Sequence, residues 1–542
     1  MTTKPAKIQY VHMVYDEEDN QHFCRSLSFN RIRSRRWRQS SMGTALTAVA
    51  ALIISTSAWL SLVFSGTTTL CWSHLKHWDG SLSLHSSPSY QNHQQHQQIL
   101  AVSPPLQNII PKSPHHHSAS TTNKEMQMEK LSLRHIIFGI GGSSQLWRRR
   151  KEYVRLWWRP NEMRGHIWLD EPVPSEDGDG SLPPVMVSED ISRFRYTNPV
   201  GHPSGLRISR IITECFRLRL PDVRWFVLAD DDTIFNVDNL VAVLGKYDPS
   251  EMVYIGNPSE SHSANTYFSH SMAFGGGGIA ISHPLAEALS TIQDDCLDRY
   301  PKLYGSDDRL HACITEIGIP LSRESGFHQW DIRGSAHGIL SSHPVAPFLS
   351  IHHVGVVDPF YPGLSSLESL QLFMKAMRVE PTGFLQRSIC YDREHRLTFL
   401  VSLGYVVQVF PNIVLPRELE RSEQTFSAWN GISQRNEFDF DIRDPYKSIC
   451  KKPILFFLNT IGRVGNATLG SYARARRKDD LKRKVLCFPR LPPLNNVQKI
   501  LVLSYPLSKK WHLVAFLLAP RRLCCKLNQT SEEIPTLLVG QC

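Results

Sequence analysis

Three adjacent carboxylates, Asp230-Asp231-Asp232, follow the apolar run Trp225-Phe-Val-Leu228. Carboxylates this close repel one another unless something cationic neutralises them. In an extended chain alternate side chains share a face, so Asp230 and Asp232 point the same way. Two carboxylates on one face at a strand end suit a hard divalent ion, Mn²⁺ or Mg²⁺, which keeps positions open for water and substrate phosphates. Such an ion neutralises the charge developing on a departing diphosphate. Alone, the triplet fits a solvated acidic turn equally well. An EF-hand loop does not fit, since Ile234 and Phe235 stand where a ligand and a glycine are required.

Further chemistry-bearing residues follow in order. Gly275–Gly278 is an unbroken glycine run, and glycine lets a backbone approach a ligand closely. The Lys-Ser/Thr of a phosphate-binding P-loop is missing, so a sugar- or acceptor-facing wall around Gly276 and Gly277 is the better reading. Asp307 and Asp308 open an apolar segment containing Leu310, Cys313 and Ile317. One acid suffices to cap a helix, so a second makes one of the pair a candidate general base. His352-His353 follow another apolar stretch, and one of them is placed to complete a metal's coordination with Asp232.

The elements that must position these groups alternate. An apolar run at 135–140 precedes a turn and a helix-like stretch from Leu146 to Trp158, which stops before Pro160. Strand-like runs follow at 166–169 and 184–187, then a helical stretch from Leu206 to Leu220 and the strand that enters Asp230. The alternation predicts an α/β unit with a largely parallel sheet, whose ligand sits off the strands' carboxyl ends. Beyond 385 the runs Leu397–Val409, Ile454–Leu458 and Ile500–Tyr505 predict a small β-rich module.

The chain of 542 residues is 41% hydrophobic and 20% charged, enough apolar side chains for a sizeable core. Its net charge of +10 does not imply a nucleic-acid partner. The bases bunch at Arg31–Arg38 and Arg474–Lys484, without zinc-finger spacing or an aromatic-basic RNA motif. The first cluster precedes an uncharged run of Ala, Leu, Ile and Val at 42–64, about the length of one membrane span. Bases before the span place residues 1–41 in the cytoplasm and the rest in the lumen. Residues 65–130, rich in Ser, Gln, His and Pro, read as a disordered stem. Eleven cysteines without a CxxC pair argue against a structural zinc site, and in an oxidising lumen disulfides are expected among Cys215, Cys296, Cys313, Cys390, Cys450, Cys487, Cys524, Cys525 and Cys542. Asn466 and Asn528 open N-glycosylation sequons.

The order of motifs resembles the fringe-related β-1,3-glycosyltransferases of glycosyltransferase family 31, in the plant branch that carries a DUF604 region. The matching pieces are Ile137–Ile140, Arg150–Trp158, Ser188–Asp190, Arg224–Thr233, Gly275–Gly278, Tyr304–Arg309 and Gly326–Trp330. The resemblance spans about residues 131–530 and implies a GT-A fold, a UDP-sugar donor, Mn²⁺ dependence and inversion at the anomeric carbon. It implies Asp232 as direct metal ligand, Asp230 facing the ribose or the metal's water shell, His352 as the histidine ligand and Asp308 as catalytic base. Asp231 falls beside the nucleotide, and Arg207 or Arg210 is a candidate for the diphosphate. Where fringe-like chains read Gly-Gly-Ala-Gly, this chain has four glycines, and the region after about 388 has no counterpart in animal fringe enzymes. The expected organisation is a catalytic domain at 131–385 and the β-rich module at 386–542. The expected function is transfer of a hexose or N-acetylhexosamine to a glycan or glycoconjugate hydroxyl in a β-1,3 linkage, from a single-pass type II anchor in the Golgi membrane. The alternative is a catalytically inactive glycan-binding or scaffold protein on the same fold.

Overall fold

The computed structural model describes residues 129–174, 180–431, 434–475, 479–487, 496–507, 521–528 and 534–542. The expected tail and membrane anchor lie outside the described residues, as does the expected stem apart from Glu129 and Lys130. No helix among the described residues is long and apolar enough to cross a membrane.

The α/β half is built on strands β1 (Ile136–Gly141), β2 (Arg164–Leu169), β3 (Val185–Val187), β4 (Trp225–Asp230), β5 (Ile234–Phe235), β6 (Tyr254–Gly256), β7 (Ile279–Ser282), β8 (Leu321–Arg323), β9 (Phe327–His328), β10 (Ile332–Gly334) and β11 (Ser350–Ile351). Seven of them form one sheet in the order β3-β2-β1-β4-β7-β6-β8. Every residue of β1 is buried, as a central strand covered on both faces requires, which is why it reads as an unbroken apolar run.

The expectation of a largely parallel sheet holds for β1 to β4 and for the pair β6 and β8. Strand β7 runs antiparallel to both β4 and β6, so the sheet is mixed. This reversal matters for the site. Leu228 near the end of β4 pairs with Ile279 at the start of β7, which sets the glycine run beside the acidic triplet. The predicted helix at 206–220 divides at Arg210 into Ser204–Ser209 and Ile211–Arg217. Arg210 is buried there, held by Glu189 at 2.8 Å and Asp294 at 3.0 Å.

The β-rich module is a closed eight-stranded barrel running from Arg387–Asp392 to Thr536–Gly540, with no free edge in it. The predicted single run at 397–409 is two strands, Leu397–Ser402 and Val406–Phe410. They are joined through Gly404, whose φ of 78° an L side chain rarely adopts. One hydrophobic core joins both halves, with Phe138 and Val227 from the sheet and Val407 and Phe456 from the barrel region. A short strand, Phe426–Ala428, leaves the barrel and pairs with β10. Among the described residues four disulfides form, Cys296–Cys313, Cys390–Cys525, Cys450–Cys487 and Cys524–Cys542, and Cys215 is buried outside them. Asn466 is exposed in the turn between strands Ile454–Val464 and Ala467–Arg474, and Asn528 is exposed at a strand end.

Burial pushes Glu214, on helix Ile211–Arg217, up to about 7, despite Arg210 beside it. The folded chain therefore holds a proton between the ordinary carboxylate range and about pH 7 that the unfolded chain has lost. The benefit of a neutral Glu214 is complete at low pH and is lost as pH rises through about 7. Glu214→Gln is expected to raise the melting temperature at pH 8, by stability on the order of 2 kcal/mol, and to change it little at pH 5. Thermal denaturation at the two pH values checks this.

Candidate active site

Strand β4 delivers the triplet. After Asp230 the chain turns, with the Thr233 N–H donating to the Asp230 carbonyl at 3.1 Å. It then enters β5, which pairs antiparallel with β11, and β11 pairs parallel with β9. This small second sheet places residue 352, directly after β11, over the end of β4. His352 Nε2 lies 3.1 Å from Asp232 Oδ1 and 3.4 Å from Asp230 Oδ2. One ligand atom from each of Asp230, Asp232 and His352 falls within 4.8 Å of the others, the only such cluster of acids, histidines and cysteines among the described residues.

His353 is turned away, with Nδ1 3.1 Å from the Trp330 carbonyl oxygen and its ring stacked on Trp429 at 4.6 Å. Its φ of 56° lies in the left-handed region, unusual for a non-glycine residue. That backbone turn lets consecutive histidines face different partners. Of the two, His352 is therefore the one that meets the acids.

The glycine run sits between two functional side chains. A Cβ on Gly275 would come within 2.5 Å of Asp307 Oδ1, and one on Gly276 within 2.2 Å of the His352 ring. What the absent side chains admit is the protein's own His352 and Asp307, rather than only a sugar or acceptor as the sequence suggested. The Gly276 carbonyl accepts from the Thr233 hydroxyl at 2.7 Å, and the Gly277 N–H donates to Gln329 Oε1 at 2.8 Å. Triplet, run and β9 are thus tied together. Gly276→Ala must push the His352 ring aside, so a ten- to hundredfold loss of divalent-metal affinity is expected. A metal titration of the folded variant checks it.

Asp307 and Asp308 open helix Ser306–Ile317, where backbone N–H groups favour a carboxylate. Asp307 lies against Gly275 and is close enough for its charge to act on Asp230. Asp308 is engaged elsewhere, its Oδ2 accepting from the Tyr304 N–H at 3.3 Å. The resemblance placed the base at Asp308; the geometry turns Asp307 toward the cluster, because residues adjacent on a helix project about 100° apart.

Burial pushes Asp230 up to about 7, and the neighbouring Asp232 and Asp307 charges work in the same direction against His352. Burial also opposes ionisation of Asp232, yet Arg150 and His352 hold it well below the usual carboxylate range. Against its own burial, His352 is raised to about 9, chiefly by Asp232. His352 Nδ1 is buried without a hydrogen-bond partner, while its Nε2 is turned to the acids. Two carboxylates and an imidazole whose ligand atoms converge fit a divalent cation such as Mn²⁺ or Mg²⁺.

The arginines expected near the diphosphate make other contacts. Among the described residues Arg207 forms no ion pair with the triplet; its buried guanidinium donates to the carbonyls of Gly142 at 2.7 Å and Trp168 at 2.9 Å, tying β1 to β2. Arg210 is spent on Glu189 and Asp294, as described above. The cation at the triplet is Arg150, on helix Ser144–Trp157, 2.7 Å from Asp231 and 3.4 Å from Asp232. Asp231 therefore faces Arg150 and stands outside the three-residue cluster. Arg150 sits within the Arg150–Trp158 motif, but nothing in its spacing linked it to residues some eighty positions away.

Sheet, acid–histidine cluster and facing carboxylate together define a candidate metal-assisted group-transfer site on an α/β scaffold. The family described as "Protein of unknown function, DUF604" matches residues 264–525. The chain is 31% identical over 119 residues to a human beta-1,3-glucosyltransferase, covering 22% of this chain and 23% of that one. It is 32% identical over 121 residues to the Xenopus laevis beta-1,3-N-acetylglucosaminyltransferase lunatic fringe, covering 20% and 32%. The chain thus spans about a quarter to a third of the length of these curated relatives. The resemblance to fringe-related β-1,3-glycosyltransferases with a DUF604 region is borne out. Among solved structures, a glycosyltransferase involved in glycosylation of the PBCV-1 major capsid matches at 14% identity and TM-score 0.24, covering 44% of this chain and 98% of that one. Mouse xyloside xylosyltransferase 1 matches at 10% identity and TM-score 0.23, covering 34% and 81%. Scores this low carry no argument about the fold.

Proposed function

We propose that the chain is a metal-dependent inverting glycosyltransferase of GT-A type, moving a hexose or N-acetylhexosamine from a UDP-sugar to a glycan hydroxyl in a β-1,3 linkage. The observation that carries this reading is the meeting of Asp230, Asp232 and His352 at the end of β4, with Asp307 across the glycine run. Similarity to named β-1,3-transferases of glucose and N-acetylglucosamine supports the transferred-sugar and linkage classes.

In this reading Asp232 and His352, with Asp230, hold the cation, which when bound neutralises charge on the departing diphosphate. Arg150 keeps Asp231 and Asp232 ionised and in place. Asp307 takes the proton from the acceptor hydroxyl as its oxygen bonds to the sugar's anomeric carbon. The carbon–oxygen bond to UDP breaks on the opposite face, which inverts the centre. The uncharged run at 42–64, preceded by the arginine cluster, supports a single-pass type II anchor in the Golgi membrane, and four disulfides agree with an oxidising lumen.

The test is a panel of UDP-sugars offered to the full-length chain in detergent with Mn²⁺. UDP release from one sugar well above the others is expected. Saccharide binding without release from any UDP-sugar would favour the inactive binding protein.

A further inference from the structure

Behind β9, between the sheet and the barrel, lies a cavity of about 560 Å³, within the size range of small-ligand sites. Its wall is shared. Ser259, Glu260, Arg323 and His328 come from the α/β half, and Arg387 and Glu420 from the DUF604 region's barrel side.

The acids on this wall are already satisfied. Glu260 meets His328 Nδ1 and the Trp330 N–H, both at 2.8 Å, and Glu420 meets Arg522 at 3.4 Å. Asp439 meets His262 at 2.6 Å, and Asp441 meets Arg417 at 2.7 Å. Arg387 is different. It is 7% exposed, makes no ion pair among the described residues, donates at 3.0 Å to the Leu419 carbonyl, and its buried Nε has no hydrogen-bond partner. His328 is likewise buried with Nε2 unpartnered. A buried guanidinium that Glu420 supports only from beyond ion-pair distance is under-compensated, and its fork of donors matches an oxyanion. Burial lowers Arg387 to about 10, against the Glu420 charge, which works in the other direction. Arg323, at the rim, adds a second positive charge, and Phe440 offers an apolar surface such as the face of a sugar ring requires.

We propose that this cavity binds the oxyanion of an acidic saccharide, a carboxylate or a sulfate, seated on Arg387. The inference rests on the glycan-directed reading above only in naming the ligand a saccharide.

Calorimetry on the full-length chain in EDTA, without donor, tests it with a uronic acid trisaccharide, its methyl ester and a sulfated trisaccharide. The acid is expected to bind at least tenfold more tightly than the neutral ester. Arg387→Gln is expected to weaken the acid at least tenfold. Arg323→Gln, at an exposed position, is expected to weaken it several-fold with an unchanged melting temperature. Tighter binding of the sulfated sugar would assign the group to sulfate, and the reverse to carboxylate; both uphold the site. Equal affinity for acid and ester, no binding of either anion, or unaltered binding in folded Arg323→Gln would overturn it. Asp232→Asn is expected to bind the acid as wild type does, which separates this cavity from the transfer site.

Discussion

Asp307→Asn is expected to lower the turnover of sugar transfer by about a thousandfold, within the range that a positioned general base supplies. Asparagine keeps the shape of the side chain against Gly275 but cannot accept a proton. Metal-dependent UDP binding should survive, because Asp307 is not one of the three clustered ligands. Asp308→Asn is the control. Its carboxylate is held by the Tyr304 N–H, and its loss is expected to cost less than about tenfold in turnover, through local packing of the helix start. Initial rates of UDP release for the two variants check the pair. The reverse ranking would return the base to Asp308, where the family resemblance places it.

Asp232→Asn should act one step earlier. Asp232 is buried, meets His352 at 3.1 Å and Arg150 at 3.4 Å, and is held ionised by both. Removing its charge takes away the strongest anionic ligand and leaves Arg150 with Asp231 alone. Divalent-metal affinity is expected to fall at least a hundredfold, and transfer by about a thousandfold or more at fixed Mn²⁺, since the diphosphate's charge is then unopposed. Raising Mn²⁺ should recover part of the loss in Asp232→Asn but none in Asp307→Asn. Rates measured across a metal titration distinguish the two.

Much of the scaffold was legible because it is local. The alternation of short apolar runs with helical stretches gave β1, the helix after it, β2, β3 and β4 nearly in place, and an apolar strand entering three aspartates marked the site. What the sequence left open was decided by long-range geometry. His352 and His353 are indistinguishable as neighbours, until β11 pairs with β5 and sets one over Asp232. Asp307 and Asp308 differ only in which side of a helix faces Gly275. Arg207 was favoured for its nearness in the chain to the triplet, whereas Arg150 arrives from helix Ser144–Trp157 through the parallel packing of β1 on β4. The closure of the barrel was equally hidden, since it depends on pairing Arg387–Asp392 with Leu523–Asn528 across more than a hundred residues. The glycine run was visible; its use, making room for His352 and Asp307, was not.

The most direct measurement is thermal unfolding of the full-length chain with UDP, Mn²⁺, both, or UDP with EDTA. A ligand that binds only the folded state raises the melting temperature, so a joint site gives a large rise only when both are present. That joint rise should be abolished in Asp232→Asn. An equal rise with UDP in EDTA, or an undiminished joint rise in folded Asp232→Asn, would contradict a metal–diphosphate site at Asp230, Asp232 and His352.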